Sequence, residues 1–322
     1  MKNLVVHMSK ITSGVTQASV KVARLLAQEL KCEILERENE ALTGAYDNVF
    51  IVNSPSAFCG FLDQLVTVCE QSKRLIWVMQ DYTVYPPTQL REYLYGAKRK
   101  LELWGTLPNL PEAYKERKSY GNINFKADHV INWNALGYSY RNMIKPTKEG
   151  IIYWGAFRVM PSHTTDRWGD FTRYLLGSTV KYPVTISTSA KSIEKFQCNA
   201  ENDLCDVIGP FDDLVTDIQA WPATIYIEDV LSHLTFCQPA NRFYEALGAG
   251  IAIFFDRDSV MTMNKAGFYV KDKWIVHNAT GVQALLPQAS SIAIEQRAEW
   301  EQNYHTDLIS LLNTILTTEG MI

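Results

Sequence analysis

No apolar run in this chain approaches the roughly 18–20 residues needed to cross a bilayer. The longest buried-looking stretch, Ile251 to Phe255, has the length of a strand. The opening Met1-Lys2-Asn3 and Leu4-Val5-Val6 turn polar too soon for a signal peptide and read as a first strand. The six cysteines (Cys32, Cys59, Cys69, Cys198, Cys205 and Cys237) include no Cys-x-x-Cys pair, so a disulfide framework is not expected and reduced thiols in a cytoplasmic setting are. Cys198, Cys205 and a distant histidine lack the ligand spacing of a zinc site. The sequence also has no Gly-x-Gly-x-x-Gly fingerprint, which counts against a nicotinamide enzyme. It has no P-loop, no Gly-x-Ser-x-Gly elbow and no His-Glu-x-x-His, and its six histidines are scattered.

What is present is the mix of a folded globular protein. Hydrophobic residues make up 47% and charged residues 20% of 322, enough for two ordinary domains and too apolar for a disordered chain. Net charge is −4, which does not by itself advertise nucleic-acid binding. The halves differ, however: residues 1–150 carry 19 basic against 15 acidic side chains, and residues 151–322 carry 12 against 20. A polyanionic partner is permitted on the first half, and solvated surface explains the imbalance equally well.

Short apolar runs alternate with amphipathic stretches through the first half. Leu4–Met8, Val49–Val52 and Leu75–Met79 read as strands. Thr16–Leu30 reads as a helix with Val20, Ala23, Leu26, Ala27 and Leu30 on one face. Phe61, Leu62, Leu65, Val66 and Cys69 give a second helical spacing. Residues 82–128 are less regular, and Lys145–Gly150 reads as a linker. The pattern then restarts. Strands are predicted at Ile151–Trp154, Val184–Ser187, Asp206–Ile208, Thr224–Ile227 and Ile251–Phe255. Helices are predicted at Asp166–Leu176, Ala190–Phe196, Asp212–Ala220 and Arg242–Leu247, with one long tail helix over Ser291–Leu316. Such alternation implies parallel βαβ units, hence an α/β fold of two Rossmann-like domains facing a cleft. The expected division is 1–148, 149–300 and a C-terminal helix, 301–322, returning to the first domain.

In open parallel sheets, ligands bind beyond the carboxyl ends of the strands. Asp81 follows the strand Leu75–Met79, where a carboxylate can serve as a general base or merely shape the turn before Pro86-Pro87. Gly155 and Arg158 follow Ile151–Trp154; glycine lets a ligand approach the backbone, and an arginine there clamps a phosphate or is simply a surface charge. Arg167 and Arg173 read more readily as exposed helix charges than as phosphate contacts. Arg242 and Glu245 share a face at a helix N-terminus, which suits a phosphate and a ribose, or an intrahelical ion pair worth about 0.2–0.5 kcal/mol. The loop Ser13-Gly14-Val15-Thr16 offers backbone amides to an anion.

Taken in order, these pieces resemble the DNA glucosyltransferases of T-even-type bacteriophages, which have the GT-B fold. Gln80-Asp81 after its strand is similar to that family's catalytic aspartate. Gly155-Ala156-Phe157-Arg158 is similar to its diphosphate-binding segment, and Arg242-Phe243-Tyr244-Glu245 to the helix start that holds phosphate and ribose. Gly14 and its neighbours look more like the entry loop of the α-transferring members. One departure concerns a second phosphate-binding arginine, which would fall at Ser162 here and leaves Arg158 to rely on Arg167 or Arg242. Another concerns the paired glutamates of many retaining GT-B enzymes: the first would fall at Cys237, which agrees with inversion.

The resemblance implies a UDP-sugar donor, with UDP-glucose the family default, held by Gly14, Gly155, Arg158, Arg242 and Glu245, with Gly209 and Phe211 framing the base. Mg²⁺ is an aid to nucleotide release and not a structural requirement. The implied acceptor is a hydroxymethylated pyrimidine in double-stranded DNA, flipped from the duplex, in a monomeric phage enzyme of the host cytoplasm that protects DNA from restriction. Arg91, Lys98, Arg99, Lys100, Lys115, Arg117 and Lys118, interleaved with aromatic residues, form the expected DNA-facing patch. Two alternatives stay open: a GT-B transferase acting on a glycan or small molecule, and a non-catalytic nucleotide-sugar-binding accessory protein.

Overall fold

The computed structural model describes residues 2–7, 18–36, 44–52, 62–79, 88–105, 128–131, 133, 141–157, 167–228, 239–304 and 306–318. The chain divides into two compact units: Met1–Gly137 with His305–Ile322, and Tyr138–Tyr304.

The first unit holds β1 (Asn3–Val6), β2 (Glu33–Leu35), β3 (Tyr46–Ile51), β4 (Ser72–Met79), β5 (Glu102–Gly105) and β6 (His129–Val130). All pair in parallel, in the order β2-β1-β3-β4-β5-β6. Side chains of a strand alternate between faces, and both faces here are apolar. Leu4, Val6, Val49, Ile51, Leu75, Trp77 and Met79 pack on one side, with Leu90 and Leu94 of the helix Thr88–Gly96. Val5, Phe50, Val52, Ile76 and Val78 pack on the other, with Val22, Ala23, Leu26 and Ala27 of the helix Ala18–Glu29. Burial on both faces is why these strands read as continuous hydrophobic runs.

The second unit holds β7 (Ile151–Trp154), β8 (Val184–Ser187), β9 (Cys205–Ile208), β10 (Ala223–Tyr226), β11 (Ala252–Asp256) and β12 (Ile275–Val276). They are again all parallel, in the order β12-β11-β10-β7-β8-β9. The stretch Trp168–Leu176 begins as an α-turn and continues as a π-helix from Thr172, so the predicted helix is present with wider winding. The helix Asn241–Ala249 runs through Gly248 and ends at Gly250, whose left-handed φ of 75° closes it. β12 is too short to match all of β11 and reaches only Phe255 and Asp256. The backbone of Ile253 instead exchanges two hydrogen bonds, of 2.9 and 2.7 Å, with the buried Gln296 amide.

Two expectations need correction. The tail is two helices, Ala289–Tyr304 and Thr306–Thr318, because its apolar stripes serve different cores. Ile292, Ala293, Gln296 and Trp300 are buried in the second unit, while Leu312 and Leu316 join the core of the first. The linker-like segment before β7 is tied down as well. Thr147 and Lys148 amides donate to Ala220 O, and the amide of Arg141 donates to Gly248 O. Gln219 Nε2 donates to Asn142 O at 2.9 Å. Among the described residues, no helix is long and apolar enough to cross a membrane.

Candidate functional site

A parallel sheet opens a crevice where successive connections leave in opposite directions. In the second sheet that point lies between β7 and β10: the chain goes from β7 to β8 on one side and returns at β10 on the other. The residues that follow these two strands, Gly155 and Glu228, therefore stand at the crevice.

Four charged side chains collect there, and all are buried: Arg167 (5% exposed), Glu228 (5%), Arg242 (8%) and Glu245 (7%). Glu228 receives Arg167 Nη2 at 2.6 Å on one oxygen and Arg242 Nη2 at 3.2 Å on the other. Arg242 Nη1 also donates to the Ile227 carbonyl at 3.3 Å, and its guanidinium lies 4.6 Å from the centre of the Tyr153 ring. The Tyr153 hydroxyl in turn accepts from Arg167 Nη1 at 3.4 Å. Glu245 Oε2 accepts from Trp154 Nε1 at 2.6 Å, which ties the end of β7 to the helix Asn241–Ala249. The intrahelical Arg242–Glu245 pair considered from the sequence is replaced by these longer-range bonds.

Gly155 has φ of 145°, a conformation that side-chain-bearing residues rarely adopt. A Cβ placed there would stand 3.6 Å from both Arg242 Nη2 and the Tyr153 hydroxyl. Its carbonyl is held by Thr188 Oγ1 at 2.7 Å. The backbone is thus fixed beside two hydrogen-bonding groups with no side chain in between. Arginines at the N-terminal end of a helix and at the carboxyl ends of strands suit an anionic ligand.

Gly209 and Phe211 follow β9, two strands away from β7. The Gly209 carbonyl accepts from Ser187 Oγ at 3.0 Å, and the Phe211 ring lies 5.9 Å from that of Trp221. On the β11 side, Asp256, Asp170, Arg173 and Tyr174 form a second polar cluster. Arg173 lies 3.4 Å from each carboxylate, and the Tyr174 hydroxyl donates to Asp256. Burial, and then the neighbouring charge of Asp256, push the Asp170 carboxyl up to about 6. Among the described residues, no group of three or more His, Cys, Asp or Glu side chains could hold a metal ion.

In the first unit β4 ends at Met79; Asp81 lies outside the described residues, as do Gly14, Arg158, Lys115, Arg117 and Lys118. His7 follows β1 and is buried, which lowers its pKa and keeps the ring neutral near pH 7, with Glu36 opposing and Arg24 reinforcing the shift. Arg91 lies in the helix Thr88–Gly96, with its side chain outside the described set. Lys98 is exposed. Arg99 turns inward to the carbonyls of Cys69 and Ser72, and Lys100 pairs with Asp128 at 3.1 Å.

Sequence reasoning missed Glu228 and misjudged Arg167. The rule that singled out Asp81, an acid directly after a strand, fits Glu228 equally well and would have found it. Arg167 reads from sequence as an exposed helix charge because its partner lies 61 positions away, beyond the reach of local periodicity.

No protein-family model matches the chain, and no curated protein sequence does. Among solved structures it is similar to the DNA-modifying enzyme β-glucosyltransferase, studied with and without uridine diphosphoglucose: 13% identity, 99% of this chain, 97% of that one, TM-score 0.62. T4 phage β-glucosyltransferase in complex with UDP and Mn²⁺ gives 14% identity, the same coverage and a TM-score of 0.63. Anabaena HepE in complex with UDP and glucose gives 11% identity over all of both chains, with a TM-score of 0.58. The resemblance read from short motifs is thus matched over nearly the whole chain. The fold is that of the GT-B glycosyltransferases, with two Rossmann-like domains.

Proposed function

We propose that this chain is a glycosyltransferase that moves a sugar from a UDP-sugar to the hydroxymethyl group of a modified pyrimidine in DNA. The observation that carries the reading is the buried arginine–glutamate cluster beside Gly155, at the crevice of the second sheet. A diphosphate meets guanidinium forks there, with the room that the missing side chain of Gly155 leaves, and Glu245 lies one helical turn on from Arg242, in reach of the adjoining ribose. Support comes also from the solved structures of similar fold, whose own ligands are UDP, UDP-glucose or glucose.

In this mechanism the acceptor hydroxyl gives its proton to Asp81, and its oxygen attacks the anomeric carbon. The bond from that carbon to the diphosphate breaks, UDP leaves with the electron pair, and configuration inverts. Arg158 and Arg242 neutralise the charge that develops on the departing phosphate. Gly14 is a further donor-binding residue, while Gly209 and Phe211 border the uracil. The acceptor base leaves the duplex to react, and Lys98, with Arg91, Lys115, Arg117 and Lys118, supplies phosphate contacts.

The test is a screen of UDP-sugars against duplex DNA carrying hydroxymethylcytosine or hydroxymethyluracil, read by mass spectrometry. Transfer should occur to modified DNA only, fall steeply with added salt, and drop by about 10³-fold or more in Asp81→Ala. Equal transfer to unmodified DNA, or none to any modified DNA, rejects the acceptor assignment. A glycan or small-molecule acceptor is the second reading, favoured by the inward turn of Arg99 to backbone carbonyls. Transfer to such acceptors without DNA would establish it.

A further inference from the structure

We propose that Arg167 is a third diphosphate-contacting residue of this site, after Arg158 and Arg242, and that Glu228 is the positioning residue that holds it beside Arg242. The inference rests on the donor reading above and adds two residues to it. Arg167 and Arg242 come from different elements, one preceding the helix Trp168–Leu176 and the other in the helix Asn241–Ala249. Glu228 spends one carboxylate oxygen on each, at 2.6 and 3.2 Å. Two buried cations would otherwise repel each other; one shared carboxylate holds them side by side, as close as its two oxygens allow.

Tyr153 serves both in the same way, its ring beneath Arg242 and its hydroxyl on Arg167 Nη1. The arrangement is a built receptor with a donor left over: Arg242 Nε is buried and has no hydrogen-bond partner among the described residues. A buried donor of this kind calls for an acceptor, and Gly155, whose Cβ position lies 3.6 Å from Nη2 of the same guanidinium, leaves side-chain space beside it. A triad that served stability alone would gain little, since burying ion pairs is commonly neutral against apolar packing. At the crevice of a Rossmann-like sheet, two forks aimed by one carboxylate match the two phosphates of a nucleoside diphosphate.

The experiment measures binding of UDP, UMP and uridine by calorimetry to the full chain and to Arg167→Gln, Glu228→Gln and the double variant. Arg167→Gln and Glu228→Gln should each weaken UDP by about tenfold or more. UMP should lose less, uridine should stay within about twofold, and the double variant should be little worse than either single one. Glu228→Asp, which keeps the charge, should recover part of the loss. Unchanged UDP affinity in folded variants overturns the proposal, and so does an equal loss for uridine, which marks a merely structural role. Should Glu228→Gln not fold, Arg167→Lys decides: it keeps the charge and loses the fork, and undiminished UDP binding sinks the proposal. A wild-type protein that binds no uridine nucleotide rejects the donor reading itself, and this inference with it.

Discussion

Gly155 shows how much one missing side chain can matter. Its φ of 145° is strained for any other residue, and a methyl group would enter the space beside Arg242 and Tyr153. Gly155→Ala should therefore weaken UDP binding by about tenfold and cost about 1–3 kcal/mol of stability. Calorimetry and denaturant unfolding separate the two effects. Asp170 makes the opposite case, a residue whose charge is unwelcome. Its native carboxyl keeps a proton up to about 6, whereas an unfolded aspartate loses it near about 4. The native state thus binds more protons between those values, so stability falls as pH rises through that window and stays lower above it. Asp170→Asn should flatten the slope between about pH 4 and 6 and raise stability at pH 8 by about 1–2 kcal/mol, measured by urea titration across pH. A flat wild-type profile would contradict the buried-carboxyl account.

At the scale of elements, Arg99 and Lys98 are neighbours in sequence with different employments. Arg99 closes the junction between the helix Leu62–Glu70 and β4 by donating to Cys69 and Ser72 carbonyls. Lys98 stands exposed with φ of 54°. Arg99→Glu should lower stability by about 2–3 kcal/mol, while Lys98→Glu should leave stability within about 0.5 kcal/mol. If Lys98 faces DNA, that change lowers DNA affinity alone; melting curves and filter binding read the two outcomes. A charge patch read from sequence conceals this division, because adjacent cations look alike until their directions are known. The strands were legible for the contrary reason: a parallel sheet buries both faces, so Leu75–Met79 and Ile151–Trp154 announce themselves as unbroken apolar runs. β2, β6 and β12, each of three residues or fewer, carry too little pattern to stand out, and β5 opens on Glu102 and closes on Gly105.

Across the molecule, alternation of strand and helix conveyed the two Rossmann-like sheets; position after a strand singled out Gly155, and a shared face at a helix N-terminus singled out Arg242 and Glu245. The Glu228 bridge and the Trp154–Glu245 bond were not legible, since each joins residues far apart in the chain. Local spacing carries no record of such pairings. The tail reads as one helix because no proline or glycine interrupts residues 289–318, and only the fold reveals that its two segments serve separate cores.

That division of the tail has a consequence for how the protein is made. Leu312 and Leu316 complete a core whose other members lie before residue 134, so the first sheet stays unfinished while the entire second unit is synthesised. On the ribosome, the later unit is therefore free to mature first, and the earlier one closes only when the last turns emerge. A stop codon placed after Tyr304 should leave a chain whose second half folds and whose first half is cut readily by protease.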